Sequence, residues 1–361
     1  MSLERLDSES EVVSAGSRAL PPPFRGVGPA EVRAGAFAAL PAVLADFGLD
    51  AQPLLAEVGL PADLLADLNT PMPYARGARV FAAAARDSGC PYIGLLFGDR
   101  GGSAMLGPLA TLMLQAPDLG TALRAVVDGL HLHDRGGVAT LRIASNTAYL
   151  GYTVVEPGAE GVEIVVDVAL ALTHRLLREW CGSSWHAREV RLARRRPAQV
   201  ARYREVFRCP VFFNAERSEV AFDGRCLAWP PPGAPARQSA EFARQRAAFL
   251  ALNDLPLPET LRRLLHAALA ERIVTVEDAA ARLGLHPRTL NRRLAAEGVN
   301  FRQIKASAQF EAARLLLRST DLPLEAVGAA LGYAELSSFS RSFTAWAGCS
   351  PSVWRRRAAQ N

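Results

Sequence analysis

The sequence predicts an α+β domain, helices with a small and mostly antiparallel sheet, followed by an all-α domain that carries two helix-turn-helix units. Three observations predict it. Helical and strand-like patterns intermix as far as Phe222, four prolines fall within Trp229–Pro235, and beyond them a helix–glycine–helix pattern occurs twice, 48 residues apart. Short strands among helices indicate an α+β architecture, and the repeated pattern indicates paired helical units.

At 361 residues the chain has room for two or three domains, and half of its residues are hydrophobic, enough for a substantial core. No run of eighteen apolar residues is free of charge, so no membrane span is expected. The segment Met1–Val13 is acidic where a secretory signal would be basic and then apolar, which points to the cytoplasm. Cys90, Cys181, Cys209, Cys226 and Cys349 are odd in number, far apart and never spaced as CxxC. That pattern suits neither a disulfide framework nor a zinc site; small buried thiols are expected, with redox sensing as the alternative.

Net charge is +5, and its placement says more than its sum. From Pro258 onward there are 15 arginines and lysines against 9 aspartates and glutamates, whereas the preceding 257 residues hold 26 against 27. The positive excess lies entirely in the C-terminal segment, as expected for a binder of phosphate backbones. Lys305 is the sole lysine, so part of the arginine richness reflects codon bias.

Residues 1 to about 28 carry few large apolar groups and end in Pro21, Pro22 and Pro23; they read as a disordered leader. Apolar residues then recur at helical spacing from Ala34 to Phe47, with further helices around Arg76–Asp87 and Leu119–Leu132. Strand-like runs at Ala139–Ala144 and Tyr149–Val155 flank Ser145-Asn146-Thr147 and suggest a hairpin. A long apolar helix is expected at Ile164–Trp180. Three more strands are expected at Glu189–Leu192, Pro210–Phe213 and Glu219–Phe222, with a helix near Pro197–Phe207. The prolines of Trp229–Pro235 exclude helix or sheet interior and open a linker region over 229–257. Glu241–Leu252 and Glu259–Ala270 read as helices, and the rest of the chain is helical.

In the first unit Val276, Ala279, Ala280 and Leu283 form one apolar helix face, and Gly284 permits the left-handed turn that ends it. Pro287 suits the first position of the next helix. There Leu290 and Leu294 face inward while Arg288, Asn291 and Arg292 share the other face, the geometry of a recognition helix presented to a major groove. In the second unit Gly328 and Gly332 take the places of Ala280 and Gly284, and Phe339 and Phe343 those of Leu290 and Leu294; Arg341 takes the place of Arg292. Between the units, Phe301–Arg318 is expected as a helix roughly 27 Å long at about 1.5 Å per residue. Successive major grooves on one DNA face lie about 34 Å apart, so this connector can serve two adjacent grooves.

From Thr260 to Arg357 these residues resemble the AraC/XylS family of transcription regulators. The most specific stretch is Ala330-Leu-Gly-Tyr, then Ser338-Phe-Ser-Arg-Ser-Phe343, then Gly348-Cys-Ser-Pro351 and Trp354-Arg355. Gln309 departs from the family's usual arginine, which implies a weaker local ion pair. The resemblance implies base contacts from Arg288, Asn291 and Arg292 in the first unit and from Leu336, Ser337 and Arg341 in the second, with Ser338 and Ser340 at phosphates. It implies a cytoplasmic, nucleoid-associated activator whose partners are double-stranded promoter DNA, RNA polymerase, a small-molecule effector and a second copy of the chain. On this reading 258–361 is the DNA-binding domain.

Residues 29–228 are the expected sensing and dimerisation domain, and Ala34–Pro231 resembles the arabinose-binding type of N-terminal domain found in one branch of these regulators. The resemblance rests on Leu40-Pro through Gly48-Leu, Gly59-Leu-Pro61, Gly94-Leu-Leu-Phe-Gly98, Leu106-Gly-Pro-Leu109, Ala116-Pro-Asp-Leu119 and Cys209-Pro-Val-Phe-Phe213. These are turns and packing positions, so they imply a fold and not arabinose as the ligand. No nucleophile–base pair, cofactor motif or metal-ligand set stands out, and a lone lysine outside any glycine-rich loop excludes a P-loop. The glycines of Gly98–Gly102 read as a turn. His131 and His133, beside Asp134, are the ligand-binding candidates; the alternative is that they meet the terminal carbonyls of a helix. Leu112, Met113 and the helix over Ile164–Leu177 line either an apolar pocket or plain core. Two other readings stay open: a first domain that only dimerises, and an enzyme fused to a DNA-binding module.

Overall fold

The computed structural model describes residues 26–156, 159–231, 239–251, 255–269 and 275–358. The leader up to residue 25, and the Trp229–Pro235 spacer beyond Pro231, lie outside these residues. A short strand β1 (Glu31–Arg33) pairs antiparallel with β2 (Pro71–Pro73), and α1 (Leu40–Ala45) and α2 (Ala51–Glu57) lie between them. Then come α3 (Tyr74–Ser88), α4 (Ile93–Gly101), α5 (Pro108–Leu114), α6 (Leu119–Gly129), the hairpin β3 (Gly137–Ala144) and β4 (Thr147–Val154), and α7 (Val162–Cys181). The first domain closes with β5 (Glu189–Arg191), α8 (Val200–Phe207), β6 (Val211–Phe212) and β7 (Glu219–Asp223). Its main sheet has the order β3-β4-β7-β5-β6, antiparallel except between β5 and β6. The expected α+β class is what the chain adopts.

Local chemistry explains the departures from expectation. The helix expected over Ala34–Phe47 is instead a 3-10 turn at Ala34–Phe37 followed by α1. Pro41, in the first turn of α1, has no N–H to donate backward, so one continuous helix is impossible there. The hairpin turns on Ser145 at φ 54, between Ala144 and its partner Thr147. The glycines of Gly98–Gly102 are not a turn as expected: Gly98 and Gly101 lie within α4, and only Gly102, at φ 59, leaves it. Gly94 and Gly98 form one side of α4 and press on α7. A Cβ on Gly94 would come within 2.7 Å of the Ile164 carbonyl, and one on Gly98 would strike the Val168 carbonyl. Glycine there lets two helix backbones touch.

The second half comprises α9 (Ser239–Leu250), α10 (Leu257–Ala268), α11 (Val276–Arg282), α12 (Pro287–Ala296), α13 (Phe301–Ser319), α14 (Leu324–Ala330), α15 (Leu336–Ala347) and α16 (Pro351–Ala358). α9 falls inside the 229–257 region, yet Phe242 and Phe249 are buried in the first domain's core, so this part of the region is packed structure rather than free spacer. Two small cores serve the rest. One joins Leu261, Leu265, Ala279, Leu290 and Leu294; the other joins Leu317, Val327, Phe339 and Phe343. No helix among the described residues is long and apolar enough to cross a membrane.

Candidate functional site

The first helix-turn-helix unit begins with a reciprocal cap. Thr275 Oγ1 accepts from the Asp278 amide and Asp278 Oδ2 accepts from the Thr275 amide, both at 3.1 Å. Two of the donors that α11 would otherwise leave unpaired are thereby satisfied. Gly284, at φ 64, turns the chain, and the His286 ring accepts from the Arg288 amide at the start of α12. Leu290 and Leu294 are fully buried over Ala279 and Ala280, which leaves Arg288, Asn291 and Arg292 exposed on the far face. Among the described residues no carboxylate pairs with Arg288 or Arg292.

α13 is capped in the same way, by Asn300 and Gln303 with two bonds of 2.9 Å. At 19 residues it is one longer than expected, roughly 28 Å at about 1.5 Å per residue. In the second unit Gly332, at φ 85, makes the turn, and Phe339 and Phe343 fill the inner face of α15. Ser337 and Arg341 are exposed, and Ser338 and Ser340 are half-buried. Arg341 donates to Ser338 Oγ at 3.3 Å, and the Ser337 hydroxyl donates to Glu335 at 3.1 Å. Leu336 is half-buried and packs on the second small core, so less of it is free than its expected place at a base edge requires.

α10 binds the helical module to the first domain. Arg135, almost fully buried, pairs with Glu259 in a two-point contact whose longer bond is 3.0 Å. The Arg263 guanidinium donates to the carbonyls of Arg135 at 3.2 Å and Gly137 at 2.7 Å, and Arg262 donates to that of Val155 at 3.3 Å. Farther along, Arg195 pairs with Asp321 at 2.8 Å and Arg318 donates to the Ala159 carbonyl at 3.2 Å.

The carbonyls that Arg263 grips follow Asp134 by one and three positions, and Asp134 lines a cavity of about 140 Å³ in the first domain. Asp134 Oδ1 accepts from the amides of Gly136 and Gly137 at 2.8 and 3.0 Å, and Oδ2 accepts from the Tyr152 hydroxyl at 2.7 Å. Desolvation pushes this carboxyl above the usual range, while Tyr152, Arg263 and the two amides pull it back. Tyr74 Oη lies 3.2 Å from Tyr152 Oη. His133 lines the same cavity, whereas His131 is half-buried beside it and is not among the lining residues. Met113 and the α7 residues Val165, Val168 and Leu172 also line it, so the expected apolar pocket and the plain core coincide in one helix; Leu112 is core only.

Burial pushes the His133 pKa down to about 3 and that of His174, in α7, down to about 4. Unfolded, each ring would take a proton near pH 6.5. The stability these rings contribute is therefore complete above about pH 6.5 and is lost as pH falls toward the folded values. At pH 5.5 the loss is on the order of 1 kcal/mol for each ring. Thermal midpoints at pH 7.5 and 5.5 test this: the drop should shrink in His174→Phe, and equal midpoints for the unaltered chain would contradict it.

Cys181 and Cys209 are poorly suited to redox sensing. Burial raises the Cys181 pKa to about 12 and that of Cys209 to about 11, far from the thiolate range that oxidation needs. Among the described residues no cluster of three or more His, Cys, Asp or Glu could hold a metal ion.

Comparison with known proteins gives these features a context. Residues 48–231 match a family model described as the arabinose-binding domain of AraC transcription regulators, and residues 279–357 match a helix-turn-helix domain model. The chain is 30% identical over 323 residues to the HTH-type transcriptional regulator VirS of Mycobacterium tuberculosis, covering 87% of this chain and 93% of that one. The chain belongs to the AraC family of transcription regulators. It is also similar to the ornithine utilization regulator of Pseudomonas aeruginosa, 25% identical over 315 residues, with 87% of this chain and 93% of that one covered. The crystal structure of the transcriptional regulator CdpR, also from Pseudomonas aeruginosa, aligns over 85% of this chain and 96% of its own at 22% identity, with a TM-score of 0.41.

As an AraC-family member the protein is a DNA-binding transcription regulator of a family that is not enzymatic. Two features of it escape a reading of sequence. One is the Tyr74–Tyr152–Asp134 chain, whose members come from α3, β4 and the turn before β3 and meet only in the fold. The other is Gln309. Its amide donates to the Leu331 carbonyl at the end of α14, at 2.9 Å, where a weakened ion pair was expected.

Proposed function

We propose that this AraC-family regulator reads its operator with both units and answers to a small molecule held in the first domain. Arg288, Asn291 and Arg292 contact bases from α12; Leu336, Ser337 and Arg341 contact bases from α15, while Ser338 and Ser340 meet phosphates. Residues 258–361 form the DNA-binding domain and 29–228 the sensing and dimerisation domain. The regulator works in the cytoplasm at the nucleoid, as a homodimer and an activator that engages RNA polymerase. One observation carries the DNA-binding reading: in each unit the inner face of the second helix is fully buried while an arginine on its outer face is exposed.

Arg292→Ala is expected to cost about 1–3 kcal/mol of specific binding. Titration of operator DNA at fixed salt measures it, and unchanged affinity would remove Arg292 from the interface. The effector reading draws on the cavity and on the grip of Arg263 beside Asp134: a ligand that shifts Asp134 would shift the carbonyls that hold α10. A ligand that raises thermal stability yet leaves promoter output unchanged would favour a first domain that only dimerises.

A further inference from the structure

We infer that the first-domain cavity takes a small uncharged molecule with an apolar, ring-sized body and a single hydrogen-bond donor, such as a phenol or a benzylic alcohol. The inference rests on the proposed sensing role and adds the chemical class of the ligand. Volume sets the body. A dry apolar cavity of about 150 Å³ accommodates benzene, and this one measures about 140 Å³. Its walls suit a ring: Phe37 and Phe81 stack at 4.5 Å, and Met105 and Met113 supply flexible, polarisable surface.

The polar end sets the head. The Tyr152 hydroxyl proton goes to Asp134, so the Tyr74 hydroxyl must donate to Tyr152. Both phenolic protons are then engaged, and the lone pairs of Tyr74 remain. His133, 4% exposed, uses one ring nitrogen on the Met105 carbonyl, while its Nδ1 meets no donor among the described residues. Since the ring is neutral at physiological pH, that nitrogen is a bare acceptor. An unmet buried acceptor is costly, and a ligand that brings an O–H or N–H relieves the cost. A carboxylate would find no donor here and would place a second negative charge beside Asp134. The nearby Arg33 guanidinium donates to the Asn69 carbonyl and is not among the lining residues. A sugar would leave most of its hydroxyls against hydrocarbon.

The test titrates the purified full-length chain with phenol, benzyl alcohol, toluene, benzoate and arabinose, read by ligand-observed NMR and calorimetry. Phenol or benzyl alcohol should bind at least tenfold tighter than toluene, and benzoate and arabinose should show no saturable binding. In His133→Phe the preference for the alcohols over toluene should fall to less than threefold. Val168→Phe serves as a second variant should His133→Phe fail to fold: it fills the cavity and should abolish binding of every probe while operator affinity is kept. Toluene binding as tightly as phenol, benzoate binding tighter, or probe binding that survives Val168→Phe would each overturn the inference. Operator affinity of the ligand-free chain is measured in parallel. If it holds while the probes fail, the ligand class is wrong and the regulator reading stands; if the probes bind as expected without altering operator affinity, the cavity assignment stands and control by ligand fails.

Discussion

A Phe343→Ala chain should lose about 3–5 kcal/mol, the usual cost of emptying an aromatic position in a core, and the loss should fall on the second helix-turn-helix unit. Phe343 is fully buried, with the rings of Phe310, Phe339 and Trp354 at 5.5, 5.8 and 6.1 Å. These rings belong to a small core distinct from the one beneath α12. Few neighbours can move inward, so the cavity would persist. Denaturant unfolding followed through Trp346 and Trp354 should show this unit melting early, and footprinting should show the proposed DNA contacts of α15 fading before those of α12. Simultaneous loss of both footprints, or a stability change below about 1 kcal/mol, would contradict the independence of the two cores.

The second large effect is expected at Glu259. Glu259→Ala leaves the Arg135 guanidinium, 6% exposed, without its carboxylate. Breaking one half of a buried pair costs about 3–5 kcal/mol, because the remaining charge stays desolvated. The double change Glu259→Leu with Arg135→Leu removes both charges and should recover most of that loss. Full-length unfolding curves compare the three chains. If the single and double variants were equally stable, the pair would not be what seats α10 on the first domain.

Much of the helical half can be read from its sequence because its signals are local. A glycine that must adopt positive φ, a proline at a helix start and an apolar pair four residues apart each act within a few positions, as at Gly284, Pro287, Leu290 and Leu294. The first domain is harder to read. β1 and β2 are three residues each and pair across 37 intervening positions, so neither has an alternation long enough to detect. Gly94 and Gly98 look like turn residues until α7 is known to lie against them. Asp134 follows two histidines that read as ligand candidates; its own burial, and its tie to Tyr74 and Tyr152, depend on strands and helices that meet in three dimensions. Asp167 is similar. It interrupts an apolar helix, and its partners Arg194 and Tyr203 lie 27 and 36 residues onward.

The bond from Gln309 to the Leu331 carbonyl joins two groups without formal charge. Dissolved ions screen a guanidinium–carboxylate pair but have little purchase on an amide and a carbonyl. Concentrated electrolyte will therefore strip the protein from phosphates well before it loosens the joint between connector and second unit. The separation of the two arginine-bearing faces thus rests on contacts indifferent to the same ions that would govern the proposed hold of those faces on DNA.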